Sequence, residues 1–261
     1  FTVDDNVSSA EFGVLQDAIA LIEAVSAVEF TGRNALDPGW VLVRDNPDFN
    51  NAPVGYGLGE RVVNITTWNV AVVVHELLHV LGFWHEQSRT DRDAFVRIEF
   101  DNVDQNACDG PCDYAFQLVS DSRNYGPYDF ASIMHYGACF FSDCGTACAP
   151  TDASCRTITV LPPNDVQWQS AIGTPAVMSY WDATTLSFMY PPSNWRFVNR
   201  FGTNFFESGS FLDPWKNLTT ALTETPVGGT IWIEPGTYSG QTVITGTKTL
   251  RAAQGGVLLA N

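Results

Sequence analysis

The chain has 261 residues, 45% of them hydrophobic, with six cysteines and a formal net charge of −16. That length and apolar content allow a full core plus an appended module, while the acidic excess argues against nucleic acids and anionic membrane surfaces as partners. No apolar run of the roughly eighteen residues needed to cross a bilayer occurs and no signal peptide remains, so the sequence predicts a processed, soluble, secreted protein without membrane insertion.

In chain order, Ser8-Ser9-Ala10-Glu11 forms a capping box that opens a helix carrying Phe12, Leu15, Ile19 and Ile22 on one face. The β-branched and aromatic content of Trp40 to Arg44 and of Arg61 to Ile65 predicts two strands, separated by the Asn-, Pro- and Gly-rich stretch Asp45 to Gly59. The apolar run Val70 to Val74 suits a buried helix and leads into His75-Glu76-Leu77-Leu78-His79-Val80-Leu81-Gly82-Phe83-Trp84-His85. All four histidines fall in two short motifs, this one and Ser132-Ile133-Met134-His135-Tyr136-Gly137. None is left for incidental positions, which points to a metal site. Residues four apart share a helical face, so His75 and His79 can bind one zinc ion. Gly82 lets the chain leave the helix at positive φ, so that His85 returns as a third nitrogen ligand. Three protein ligands leave a coordination position open for water. A buried helix with satisfied core histidines is the competing explanation, but three imidazoles and a carboxylate in apolar surroundings are costly without a partner.

The positions of Gly82 and His85 after H-E-x-x-H match the metzincin spacing, and Met134 lies about fifty residues on, where a metzincin carries its methionine turn beneath the zinc. With Glu86 directly after the third histidine and Arg89-Thr90-Asp91-Arg92-Asp93 following, His85-Glu86-Gln87-Ser88-Arg89 and Ser132 to Tyr136 resemble the astacin family of zinc endopeptidases, over roughly residues 1–190. The resemblance implies an α+β catalytic domain with a mixed sheet, a zinc-binding active-site helix and a methionine turn. It implies one zinc per chain, held by His75, His79 and His85, with Tyr136 as an additional, displaceable ligand through its phenolate oxygen. A tyrosine packed under the site, its hydroxyl capping a carbonyl, is the alternative. Glu86 would be a structural residue near the mature N-terminus. Arg89, Asp91, Arg92 and Asp93 would form an ion-pair network holding the domain halves together, and His135 would pack beside the ligands. Phe1-Thr2-Val3 looks like the end of the family's opening strand, with native sequence, including a propeptide, missing before Phe1. The segment around Val54 to Val63 would be the edge strand above the zinc helix, where an extended peptide docks by strand addition, or else an ordinary exposed edge.

The ligand chemistry implies hydrolysis of protein or peptide substrates. Glu76 accepts the proton of a metal-activated water attacking the peptide carbonyl and passes it to the leaving amine, while Tyr136 stabilises the oxyanion. No Gly-x-Ser-x-Gly setting offers a competing nucleophile. Residues 157–195 hold no Lys or Arg, and Pro175 aligns with the basic subsite position of some relatives. Cleavage should therefore not require an acidic residue after the scissile bond, with Arg156 the only nearby cation.

All six cysteines follow the zinc helix, an even set that predicts disulfides formed in an oxidising compartment. A second zinc cluster is the runner-up, since the short spacings resemble ligand knuckles. The expected pairs are Cys108 with Cys112, Cys139 with Cys155 across a hairpin, and Cys144 with Cys148 at its tip. The family's usual disulfides begin upstream of the zinc helix, where this chain has no cysteine, so its connectivity does not carry over. Further on, Thr157 to Leu161 reads as a strand and Ser179 to Tyr190 as the closing helix, before Pro191-Pro192.

Residues 191–210 then read as a linker and 211–261 as a β-rich segment. Phe211, Leu212, Trp215, Leu218 and Leu222 predict an amphipathic helix, followed by a strand at Gly229 to Ile233, a turn at Pro235 to Tyr238, and short strands at Thr242 to Thr245 and Lys248 to Ala252. This resembles the capping helix and first coil of a right-handed parallel β-helix, whose coils need neighbours; a small β-rich appendage is the plainer alternative. A solenoid would suit glycan or surface binding. Charge divides the chain likewise: residues 1–195 carry 8 arginines, no lysine and 25 acidic residues, against 5 basic and 4 acidic residues in 196–261. Two functions remain, a secreted zinc endopeptidase and a binding or adhesion protein with the protease domain as platform. Intact His75, Glu76, His79, His85 and Tyr136 favour the enzyme.

Overall fold

A computed structural model describes residues 1–106, 112–201, 207–210, 214–240, 244, 246–252 and 257–260. The chain divides into two compact units, Phe1–Ala24 with Glu29–Thr185, and Val25–Val28 with Leu186–Asn261.

The first unit begins with β1 (Thr2–Val3), α1 (Ser9–Glu23), β2 (Gly39–Asp45), β3 (Gly59–Ile65) and α2 (Val70–Val80). The predicted capping box of α1 is present: Glu11 Oε2 accepts the Ser8 N–H at 2.7 Å, and Ser8 Oγ accepts the Glu11 N–H at 3.3 Å. The buried face consists of Leu15, Ala18 and Ile22, where each large side chain contributes about 2 kcal/mol. Phe12, expected on this face, is exposed, because the face that meets α2 is centred on Leu15, Ala18 and Ile22. Helix α2 packs on α1 and on β3 and buries Val73, Val74, Leu77, Leu78 and Val80. The strands run in the order β1-β2-β3, all parallel, with β2 and β3 aligned from Gly39 opposite Gly59 to Asp45 opposite Ile65.

The edge above α2 differs from expectation. Residues 54–58 lie outside any strand, and the outer side of β3 is met by an antiparallel bridge between Asn51 and Asn64. The Gly55 N–H donates to the His79 carbonyl at 2.8 Å, so the segment that rims α2 is Asn50 to Gly55. A turn rich in Asn and Gly meets the helix end better than a regular strand, because its backbone donors are free to cap it.

Beyond the helix, β4 (Val96–Ile98) pairs antiparallel with β5 (Ile158–Val160), followed by α3 (Asp165–Trp168) and α4 (Tyr180–Met189). Val96, Phe116, Tyr128, Phe130, Ile158 and Ile172 form the core beneath this half, with Tyr136 against its rim. The cysteine-rich segment corrects the expected hairpin: the bridges are Cys139–Cys148 and Cys144–Cys155, crossed rather than nested. Ser142 is the reason, since its Oγ donates to the Cys155 carbonyl at 2.6 Å and accepts the Cys144 N–H at 3.2 Å, which puts Cys155 level with Cys144. Thr157, not Cys155, reaches the Ala138 carbonyl. In the expected Cys108–Cys112 pair, Cys108 lies outside the described residues; Cys112 is buried and disulfide-bonded.

The second unit holds β6 (Trp195–Val198), α5 (Leu218–Glu224), β7 (Thr230–Ile233), β8 (Gly236–Ser239), β9 (Thr249–Ala252) and β10 (Val257–Ala260). Residues 191–210 therefore contribute a strand to this unit instead of a plain linker. Strands β6, β7 and β9 form one parallel sheet and β8 pairs parallel with β10. The expected turn at Pro235 to Tyr238 is largely strand β8. Phe211, Leu212 and most of Thr242 to Thr245 lie outside the described residues, and the helix starts only at Leu218, where Asn217 caps it by accepting the Thr219 N–H at 2.7 Å. Trp215 instead bridges to Val198. Val198, Trp215, Leu222, Ile231, Ile233 and Tyr238 form the core.

Candidate metal centre

Helix α2 opens at Asn69, whose side chain accepts the Val72 N–H at 2.9 Å, and closes in a tight turn at Gly82. There φ is +98°, the Gly82 N–H donates to the His79 carbonyl at 2.8 Å, and the Phe83 N–H donates to the Leu78 carbonyl at 3.0 Å. This is a Schellman closure, which glycine adopts without the penalty a side chain would carry. It reverses the chain and returns His85 to the helix face of His75 and His79.

The three rings converge through Nε2. His85 Nε2 lies 3.1 Å from His79 Nε2 and 3.3 Å from His75 Nε2. Tetrahedral zinc at about 2.05 Å from each nitrogen requires nitrogens roughly 3.3 Å apart, so the donor set fits the ion. His75 Nδ1 faces the Ile133 carbonyl at 2.7 Å and His79 Nδ1 faces the Phe83 carbonyl at 2.8 Å. A ring nitrogen facing a carbonyl must carry the proton, which leaves each Nε2 lone pair for a metal. Burial lowers the pKa of all three rings, His79 to about 4, so they are neutral at neutral pH and could donate to a metal.

Glu76 is 5% exposed, and its Oε2 has no hydrogen-bond partner among the described residues. Burial pushes its carboxyl up to about 8 in the metal-free protein, and a dication at the imidazoles would oppose that. A buried, unpartnered carboxyl beside three converging lone pairs is costly unless a cation completes it. The Tyr136 ring lies against His85, centroids 4.2 Å apart, and stacks on Phe140 at 5.0 Å. Burial, with the charge of Glu76 adding to it, raises the Tyr136 phenol. These groups face a cleft of about 410 Å³ whose walls include Asn51, Val54, Val72, Phe141, Gly173 and Pro175.

Met134 is buried, in the turn whose Ile133 carbonyl meets His75 Nδ1. Its turn is held by Asp182, a residue with no local signal in the sequence. Ser132 Oγ donates to Asp182 Oδ1 at 2.7 Å, and the Ile133 and Ser179 N–H groups donate to Oδ2 at 2.8 and 2.9 Å. Asp182 thus places Ile133, whose carbonyl orients His75. His135 is a packing residue: Nδ1 donates to the Tyr136 carbonyl at 2.7 Å, and Nε2 meets Tyr128 Oη at 2.8 Å. Glu86 Oε1 accepts the Asp129 N–H at 2.8 Å and lies 3.2 Å from Arg89 Nη1. The ion pairs Arg89–Asp91 and Arg92–Asp93 are local; the ties between segments run from Arg89 to the carbonyls of Tyr125, Gly126 and Pro127, and from Arg92 to those of Gln87 and Phe116.

Comparison with known proteins places this arrangement. The model of the astacin peptidase family matches residues 1–191. Zinc metalloproteinase nas-37 of Caenorhabditis elegans is 33% identical over 180 residues, covering 68% of this chain and 21% of that protein. The low choriolytic enzyme of Oryzias latipes is 33% identical over 147 residues, 54% of this chain and 51% of its own length. Among solved structures, high choriolytic enzyme 1, a hatching enzyme zinc-protease of the same fish, superposes with a TM-score of 0.59 at 27% identity, covering 71% of this chain and 84% of its own. The chain spans between 21% and 51% of the length of these two curated relatives. From the family match over most of its length, the chain belongs to the astacin family of zinc metallopeptidases.

Proposed function

We propose that the chain is a secreted zinc-dependent endopeptidase. The observation that carries this is the convergence of three neutral imidazoles beside the buried, unpartnered Glu76 at the floor of an open cleft. Bound zinc supplies Lewis acidity and brings the pKa of a coordinated water toward neutrality. Glu76, adjacent in sequence to ligand His75, takes the proton as water attacks the peptide carbonyl and delivers it to the leaving amine. Tyr136 donates a hydrogen bond from its phenol O–H to the oxyanion. The crossed disulfides support an extracellular setting, and no helix among the described residues is long and apolar enough to cross a membrane.

The cleft walls support acceptance of neutral side chains, since no Lys or Arg lines it among the described residues. In the second unit, Thr230 pairs with Thr249 and Gly236 with Val257, offsets of 19 and 21 residues that favour reading it as the start of a parallel solenoid. Nothing among the described residues of the second unit supports a glycan- or surface-binding role. Casein digestion tests the central reading: activity should vanish on chelation and return on adding zinc. Digestion that survives complete metal removal overturns it.

A further inference from the structure

Gln87 stands two residues after ligand His85, in the 3₁₀ turn Glu86–Ser88, and its side chain is 0% exposed. Its Oε1 accepts the Tyr136 N–H at 3.0 Å. One residue earlier, the Glu86 N–H donates to the Met134 carbonyl at 3.1 Å. Two consecutive residues of the ligand loop therefore grip the methionine turn on either side of His135, and only Gln87 does so with a side chain. Its main chain is anchored from behind, because Arg92 Nη1 donates to the Gln87 carbonyl at 2.8 Å.

Packing does not account for a glutamine at this position. The Nε2 group has no partner among the described residues, and a buried amide donor left unpaired costs stability relative to an apolar side chain of the same shape. What the amide contributes is an acceptor for one backbone N–H, that of Tyr136. With that main chain fixed, the Tyr136 phenol moves only through its own side-chain torsions, between His85 on one side and Phe140 on the other. A donor displaced by about 1 Å from its productive place loses much of its effect.

We propose that Gln87 is the positioning residue of Tyr136, fixing through its Oε1 the main chain from which the phenol reaches the oxyanion. The inference rests on the reading of Tyr136 as oxyanion donor. Gln87→Met removes the acceptor at similar volume, Gln87→Asn keeps the amide but withdraws it by a methylene, and Gln87→Glu retains an acceptor. The Met and Asn variants should lower kcat about tenfold, with KM unchanged and zinc affinity, read by competition with a chromogenic chelator, unchanged; the Glu variant should recover most of the loss. In a Tyr136→Phe background, Gln87→Met should have no further effect on kcat, since no phenol remains to be positioned. An equal loss in both backgrounds, or unimpaired Met and Asn variants beside an impaired Tyr136→Phe, overturns the inference. A fully active Tyr136→Phe instead overturns the reading of Tyr136 itself, and the inference with it. Should Gln87→Met fail to fold, Gln87→Asn carries the same comparison.

Discussion

The first unit gathers buried polar side chains around one point, whereas the second buries apolar side chains between short parallel strands and one helix. Around the metal centre, Glu76, His79, Gln87, Arg89, Arg92, Ser132, His135 and Asp182 are all nearly inaccessible to solvent, and each must be matched by a partner or carried at a cost. In the second unit the core is Val198, Ile231 and Ile233 on parallel strands in register, with Leu218 and Leu222 of α5 and Trp215 packed against them. Stability alone favours the second arrangement. The first is explained by what it holds in place: Asp182 sets Ile133, Ile133 sets His75, and the Gly82 turn sets both His79 and His85.

Removing one polar clamp should therefore hurt more than removing one apolar side chain. Asp182→Ala leaves Ser132 Oγ and the Ile133 and Ser179 N–H groups without their acceptor. It should destabilise the first unit by about 4 kcal/mol, seen as a lowered calorimetric transition with loss of bound zinc; a change below about 1 kcal/mol would break the comparison. Ile233→Ala should cost the second unit about 3 kcal/mol while kcat/KM on a short peptide stays unchanged. A loss of peptide turnover in that variant would show that the units do not divide their tasks as described.

The smallest effect belongs to the surface end of the ion-pair network. Hydrogen bonding to Arg89 holds the Asp91 carboxyl below its ordinary range. A depressed folded value means stabilisation that is complete above the unfolded pKa of about 3.9 and lost as pH falls through the folded value. Because Asp91 is partly exposed, Asp91→Asn should cost less than about 1 kcal/mol at neutral pH. Urea titrations should show the gap closing on acidification; a gap that widens would refute the assignment.

The same contrast explains what the sequence makes legible. The ligand triad is local: a helical period of four, a glycine that closes the helix and a third histidine three residues on carry the geometry within eleven residues, His75 to His85. The capping box of α1 and the strands at β2, β3, β5 and β7 are local for the same reason. Asp182 and Gln87 act on partners about fifty residues away, so Asp182 carries no pattern of its own and Gln87 shows only as a member of the motif His85 to Arg89, without its partner. The cysteine pairs depend on Ser142 drawing Cys155 beside Cys144, a contact between two turns. In the second unit Trp215 is spent on the bridge to Val198, so helical periodicity at that residue overstates the helix.

The most direct test of the account is Glu76→Gln, measured for metal content and turnover together. The three imidazoles do not depend on the carboxylate for their geometry, so one zinc per chain should remain. Turnover of a peptide substrate should fall by at least about a thousandfold, the scale for removing the base that activates the attacking water. A variant that keeps near-normal turnover, or a wild-type protein that folds and cleaves without zinc, would contradict the assignment of this centre.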